Sequence, residues 1–245
     1  MAEAAVTIPC YNEADRLKCD AFVDFVRQHR DVVFIFVNDG STDNTAQLLK
    51  SMCKNEPNNI RFITCETNQG KAEAVRLGTL SAIASGAKYV GYWDADLATP
   101  LKAILEFLAE LKKNSHLLLV MGARVQLLGR TILRNRYRHY LGRVFATVAS
   151  FVLQMPVYDT QCGAKMFVAS EPVALAFRDP FISRWVFDVE ILARLVCKGN
   201  VNPHVAICEY PLMEWHDVKG SKIKLKDFWI ALWDLGRIHR TYNRS

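Results

Sequence analysis

Along the first half of the chain, short unbroken apolar runs alternate with longer stretches whose apolar residues recur every three or four positions. The runs Ala4–Ile8, Val32–Val37, Ile60–Thr64, Lys88–Trp93 and Leu117–Met121 are predicted strands, and their lack of polar alternation suits burial on both faces. Asp15–His29, Asp43–Cys53, Gly70–Ser85 and Pro100–Lys113 are predicted helices, with Pro100 at a first position where a missing amide costs nothing. Strand and helix in alternation imply right-handed crossovers and a largely parallel sheet, hence an α/β fold. Such sheets bind ligands beyond the carboxyl ends of their strands.

The second half is less regular. A basic and then apolar stretch over 131–153 predicts one long helix, followed by a strand at Gly163–Val168 and a helix at Phe187–Lys198. Val205–Pro211 reads as a strand and Leu225–Tyr242 as a terminal amphipathic helix. On that helix Phe228, Leu232, Leu235 and His239 share one face, which either packs on the core or lies in a membrane interface. Its Trp229 and Trp233, four apart, suit a headgroup anchor. No repeat or linker interrupts the chain, so 1–245 is expected to be a single domain.

Composition changes this picture in two places. Hydrophobic residues make up 51% and charged residues 23% of the 245, which excludes a disordered chain. The net charge of +6 is matched by one stretch, 124–143, which holds Arg124, Arg130, Arg134, Arg136, Arg138 and Arg143 and no acid. That stretch is either a solvated helix face or a surface for phosphates or anionic lipids. The seven cysteines are odd in number and never spaced C-x-x-C, which argues against disulfides or zinc and for a reducing cytoplasm. Cys162, with no histidine beside it, reads as a packed residue and not a nucleophile. The chain enters a strand-like run at once, with no basic segment followed by an apolar one, so a signal peptide is not expected. The apolar run Val144–Val157 contains Gln154 and falls short of the roughly 18 residues a spanning helix needs.

The chemistry clusters at strand ends. The first strand ends in Pro9-Cys10-Tyr11-Asn12-Glu13 and the second in Asn38-Asp39-Gly40-Ser41-Thr42-Asp43. Each alone is turn or helix-cap chemistry; together they place acids and hydroxyls where a nucleoside could be gripped. The fourth ends in Asp94-Ala95-Asp96, two carboxylates that repel unless a cation lies between them. Hard oxygen ligands favour Mg²⁺ or Mn²⁺, which bridge diphosphates.

With Asn68-Gln69-Gly70-Lys71, these motifs resemble the nucleotide-sugar domain of family 2 glycosyltransferases, the GT-A fold. The resemblance implies that Pro9, Tyr11, Glu13 and Asp39 hold the nucleoside, uridine or guanosine, and that Gly70 and Lys71 approach the nucleotide. It further implies that Asp94 lies near ribose and diphosphate, and that Asp96, with Asp94, takes the metal. Residues 1–122 would then be the nucleotide-sugar half and 123–245 the acceptor and membrane-surface half. Further motifs narrow the family: Asp159-Thr160-Gln161-Cys162-Gly163-Ala164-Lys165, Arg184-Trp185-Val186-Phe187-Asp188-Val189-Glu190, Glu214-Trp215-His216 and Gly220-Ser221-Lys222. With Gly122-Ala123-Arg124 they are similar to dolichyl-phosphate β-glucosyltransferases and bacterial polyprenyl-phosphate relatives. Gln161, Trp185, His216 and Lys222 become further site candidates. The residues at hand show neither the N-terminal anchor of the eukaryotic enzymes nor the C-terminal spanning helices of many bacterial ones, so attachment is expected to be peripheral.

The resemblance therefore implies a hexosyltransferase, inverting, metal-dependent and peripheral on the cytoplasmic face of a membrane. Glucose from a UDP-sugar is the favoured donor group, with a GDP-sugar the other donor, and nucleic acid is not an expected partner. A polyprenyl or dolichyl phosphate acceptor is already anionic and needs positive charge, for which Arg124, Arg134 and Arg138 are the candidates. A sugar or protein hydroxyl would instead need a carboxylate base, Asp159 or Asp188. A non-catalytic nucleotide-binding subunit of a membrane complex, or a homo-oligomer, completes the alternatives.

Overall fold

The computed structural model describes residues 2–133, 136–217 and 225–242, with the backbone only at 136–139 and 225–228. The first half alternates as its pattern predicts: β1 (Ala4–Cys10), α1 (Cys19–Gln28), β2 (Val32–Asp39), α2 (Thr45–Asn55), β3 (Ile60–Cys65), α3 (Lys71–Ala84), β4 (Tyr89–Trp93), α4 (Lys102–Lys113) and β5 (Leu119–Ala123). The remainder comprises β6 (Thr131–Leu133), α5 (Arg136–Leu153), β7 (Ala164–Val168), α6 (Glu171–Arg178), α7 (Phe187–Cys197), α8 (Pro203–Ala206), β8 (Ile207–Pro211), β9 (Glu214–His216) and α9 (Leu225–Tyr242).

The main sheet has the order β3-β2-β1-β4-β7-β5-β8 and is parallel except for β7, which runs antiparallel to both β4 and β5. Helices cover both faces, which is why β2 is buried along its whole length. Alternate residues of β2 feed opposite cores. Phe34 and Phe36 meet Phe22 of α1 edge-on at 5.2 and 5.1 Å, while Val33 and Ile35 join Tyr92, Phe167 and Phe187 on the other face.

Several elements differ from the sequence expectation, among them the expected strand Val205–Pro211, whose start is the short helix α8, and β9, which the pattern does not show. The stretch over 131–153 is not one helix: Thr131–Leu133 is the strand β6, which pairs in parallel with β9 in a small second sheet. Ile132 is buried between exposed neighbours, a two-residue period too short to separate from a helical one. The first helix starts at Cys19 and not Asp15, because the amides of Arg16 and Leu17 fold back onto the Glu13 carbonyl in a turn. The helix α6, with a proline in its first turn, has no counterpart in the sequence pattern.

The last helix packs on α5 and α7. Ala231, Leu235 and Ile238 are buried, and the Tyr242 hydroxyl donates to Glu190 of α7 at 3.0 Å. The opposite face is open: Trp229 and Trp233 are 71% and 68% exposed, and Phe151 on neighbouring α5 is 85% exposed. Among the described residues no helix is long and apolar enough to cross a membrane.

Candidate active site

The parallel strands deliver the sequence motifs to one edge of the sheet. The β1 and β2 loops interlock: the amides of Asn12, Glu13 and Ala14 donate to Ser41 Oγ, Thr45 Oγ1 and Asp43 Oδ2 at 3.0, 2.9 and 3.1 Å. The Thr42 amide returns a bond to Asn12 Oδ1 at 2.9 Å, and Asn12 reaches it with φ 52°. Pro9 and Glu13 are half-buried beside these bonds and Tyr11 is exposed. Glu13 also pairs with Arg16 at 2.5 Å.

Asp39 is buried at the end of β2, and its two oxygens accept the amides of Gln69 and Gly70 at 2.7 and 2.8 Å. It therefore shapes the loop that opens α3. Gly70 carries that loop at φ +99°, a left-handed value that favours glycine. A Cβ there would also stand 3.2 Å from the Arg184 side chain.

The next residue, Lys71, places its Nζ 2.5 Å from Asp94 Oδ1. Burial alone would lower the lysine pKa, but Asp94, with Asp188 and Asp96 behind it, raises it above the ordinary value. Asp94 is held from the other side by the residue just before β7: its amide donates to the Gly163 carbonyl at 2.9 Å. The fit there is tight, since a Cβ on Gly163 would lie 1.9 Å from Asp94 Oδ2. Asp96 accepts the Ala98 amide at 3.0 Å; burial first, and Asp94 second, push its carboxyl pKa up. The Ala98 carbonyl in turn accepts the His216 amide at 3.0 Å, which brings the exposed His216 and β9 alongside the Asp94-Ala95-Asp96 loop.

Asp159 and Asp188 are both buried and both ion-paired. Arg124 grips Asp159 through Nε and Nη2 at 2.6 and 2.7 Å, and its guanidinium lies 5.3 Å from the Trp215 ring. Contact with Asp159 outweighs burial and raises the arginine pKa further. The same loop is pinned by Glu209, whose carboxylate accepts the amides of Tyr158 and Asp159 at 2.8 Å. Gln161 donates its amide to Asp159 at 3.2 Å. Asp188 accepts from Lys165 at 2.5 Å and from the Tyr92 hydroxyl, while Lys165 also donates to the Thr160 and Cys162 carbonyls at 2.9 and 2.8 Å. Burial and then Asp188 hold the Tyr92 phenol well above its usual pKa. Burial pushes the Cys162 thiol up to about 11, in keeping with a packed residue.

Two residues on, buried Glu190 pairs with Arg194 at 2.7 Å, and Arg194 binds the carbonyls of Ala176, Asp179 and Pro180. This cluster secures the segment that carries exposed Trp185, not the strand-end site itself. Arg134 and Lys222 lie outside the described residues, as does the side chain of Arg138. The structure adds Tyr92, Lys165, Arg184 and Glu209 to the residues around the site. Lys165 and Arg184 stood inside the family motifs, and Lys165 is also a lone charge in the apolar strand Ala164–Val168; Tyr92 and Glu209 had no such signal.

Hard oxygens at Asp94 and Asp96, and a carboxyl whose pKa burial raises, suit a divalent cation bound partly by the ligand's phosphates. Among the described residues no group of three or more His, Cys, Asp or Glu could hold one alone.

Residues 5–172 match the family described as glycosyl transferase family 2. The chain is 34% identical to a dolichyl-phosphate beta-glucosyltransferase of Dictyostelium discoideum over 89% of its own length and 68% of the relative's. It is 32% identical to the enzyme of that name from Mus musculus, covering 93% and 71%. Among solved structures, glucosyl-3-phosphoglycerate synthase from Mycobacterium tuberculosis, in complex with Mn²⁺, UDP and glucosyl-3-phosphoglycerate, superposes with TM-score 0.67 at 15% identity, over 98% of this chain and 80% of that one. A mannosyltransferase from Pyrobaculum calidifontis, bound to GDP-mannose and Mn²⁺, gives TM-score 0.56 at 14% identity, over 90% and 58%.

Proposed function

The chain belongs to glycosyl transferase family 2 and has the GT-A fold, and from that premise we propose that it transfers a hexose, with inversion, from a nucleotide sugar to a polyprenyl or dolichyl phosphate at a membrane surface. Glucose is the favoured sugar, as in the relatives' names, and UDP-glucose the favoured donor, since a solved structure of this fold is in complex with UDP.

One observation carries the choice of acceptor. A hydroxyl nucleophile needs a carboxylate to take its proton, and the two candidates are each committed to a cation, Asp159 to half-buried Arg124 and Asp188 to buried Lys165. A lipid phosphate is anionic before it reacts and needs no such base. What it needs is positive charge, which the run 124–143 supplies in sequence. Because Arg124 already binds Asp159 with two nitrogens, Arg134 and Arg138 carry more of that role in this reading. The exposed aromatic face of α5 and α9 suits a bilayer interface, where the acceptor's hydrocarbon lies.

On the donor side, Pro9, Tyr11 and Glu13 line the base site, and Asp39 acts through the Gln69–Gly70 loop that it holds. Asp94 and Asp96 would hold Mg²⁺ or Mn²⁺, which stabilises the charge left on the departing diphosphate. Lys71 and Gly163 keep Asp94 in place for that task.

The test is direct. Purified protein is incubated with UDP-glucose and other UDP- and GDP-sugars, with Mg²⁺ or Mn²⁺, with and without a polyprenyl phosphate. The expected result is nucleoside diphosphate release that requires the lipid phosphate and yields a glycosylated lipid. Transfer to a sugar or peptide hydroxyl with none to the lipid would overturn the acceptor assignment.

A further inference from the structure

The loop before α3 spends its own anion-binding capacity on the protein. The amides of Gln69 and Gly70, which at a helix start would otherwise face a phosphate, are both taken by Asp39. The neighbouring cation, Lys71, is ion-paired with Asp94. Arg124 and Lys165 are likewise paired, with Asp159 and Asp188. A nucleoside diphosphate brought to these strand ends would add negative charge beside Asp94 and Asp96, so a further cation is required.

Arg184 answers that need. It lies in the segment between α6 and α7, far from the loop in sequence, yet its side-chain stem reaches within 3.2 Å of where a Cβ on Gly70 would stand. Its guanidinium is exposed and makes one long bond, Nη2 to the Asn68 carbonyl at 3.5 Å. Among the described residues it has no carboxylate within 4.0 Å, unlike Lys71, Arg124 and Lys165. A Cβ at position 70 would press on this stem, which would have to give by a few tenths of an ångström. The guanidinium is thus placed at the nucleotide loop and left uncommitted, with a planar fork that matches phosphate oxygens.

We propose that Arg184 is a donor-binding residue that grips the diphosphate of the nucleotide sugar across the Asn68–Lys71 loop. This rests on the nucleotide-sugar reading above and adds a contact which that reading does not contain. The bond to Asn68 is long enough to be exchanged for a charge-assisted one without rebuilding the loop.

The experiment is a calorimetric titration of the full chain with UDP and with GDP in Mg²⁺, without acceptor, on the parent, Arg184→Ala and Arg184→Lys. Uridine, which has base and ribose but no phosphate, is measured by competition. In Arg184→Ala the diphosphate should bind roughly ten- to a hundredfold more weakly, the usual worth of a charge-assisted contact. Uridine binding should be unchanged, and Arg184→Lys should fall between, keeping charge but not the fork. A thermal melt confirms that each variant is folded, as expected for an exposed side chain. Undiminished diphosphate binding in Arg184→Ala, or an equal loss for uridine and UDP, overturns the proposal. A parent that binds neither UDP nor GDP overturns the nucleotide-sugar reading itself.

Discussion

Gly163→Ala offers the sharpest test of how Asp94 is placed. The added methyl would sit 1.9 Å from Asp94 Oδ2, 2.1 Å from its Cγ and 2.4 Å from Oδ1, whereas ordinary contact begins at 3.4 Å. The difference, 3.4 less 1.9, is a displacement of about 1.5 Å. The backbones cannot part easily, because the Asp94 amide is bonded to the Gly163 carbonyl at 2.9 Å and β4 is paired to β7 beside it. The carboxylate must therefore turn away, and its 2.5 Å bond to Lys71 breaks. A misplacement of this size in a reacting centre costs on the order of a hundredfold in rate, while overpacking costs about 1–3 kcal/mol of stability. Initial rates of lipid glycosylation and thermal melts measure the two separately. The double variant Asp94→Ala/Gly163→Ala removes the clash, so it should regain most of the lost melting temperature and none of the activity. Parent-like turnover in Gly163→Ala would refute the reasoning, since Asp94 would then not need the position β7 gives it.

Asp96→Asn should lower turnover by a factor on the order of a hundred or more, and full activity of that variant in excess EDTA would remove the metal from the mechanism. The same substitution has a stability signature. Because the folded-state carboxyl pKa is raised, the native chain holds the proton longer, and stability falls as pH rises through the carboxylate range. In EDTA, Asp96→Asn should thus melt above the parent at neutral pH, with the gain lost once both states are protonated. Charge reversal by Arg134→Glu with Arg138→Glu should weaken binding to anionic liposomes, and added salt should mimic it; undiminished flotation would mark the stretch as a solvated face. Trp229→Ala with Trp233→Ala should reduce liposome binding with the melt unchanged, since both rings are exposed, whereas a lower melting temperature would show that they pack.

The strand-end motifs were legible because each is local. Unbroken apolar runs mark β1, β2 and β4, and two carboxylates two residues apart advertise a cation by their repulsion. The partners of Asp159 and Asp188 were not legible, since Arg124 lies 35 residues from the one and Lys165 23 residues from the other. The chain shows that such residues exist and not that they meet. That is why the pairing of Arg124, a candidate phosphate ligand, with Asp159 could not be read from the chain. The last helix shows the same limit. Its stripe of Leu232 and Leu235 was compatible with a core or an interface, and only tertiary contact with α5 and α7 places it inward and the tryptophans outward.

The position of β7 also fixes an order of assembly. In a chain emerging from the ribosome, β1 to β4 can pair as soon as they are made, but β5 has no strand to join: its neighbours in the sheet are β7 and β8, both synthesised later. Until Ala164–Val168 arrives, β4 is an open edge and β5 is unpaired, the state in which strands of different molecules find one another. A nascent chain halted before residue 163 would carry every nucleotide-facing motif up to Asp96 and yet lack the carbonyl that receives the Asp94 amide. Chaperone demand during synthesis, and aggregation of truncated products, should both drop once the ribosome has passed that strand.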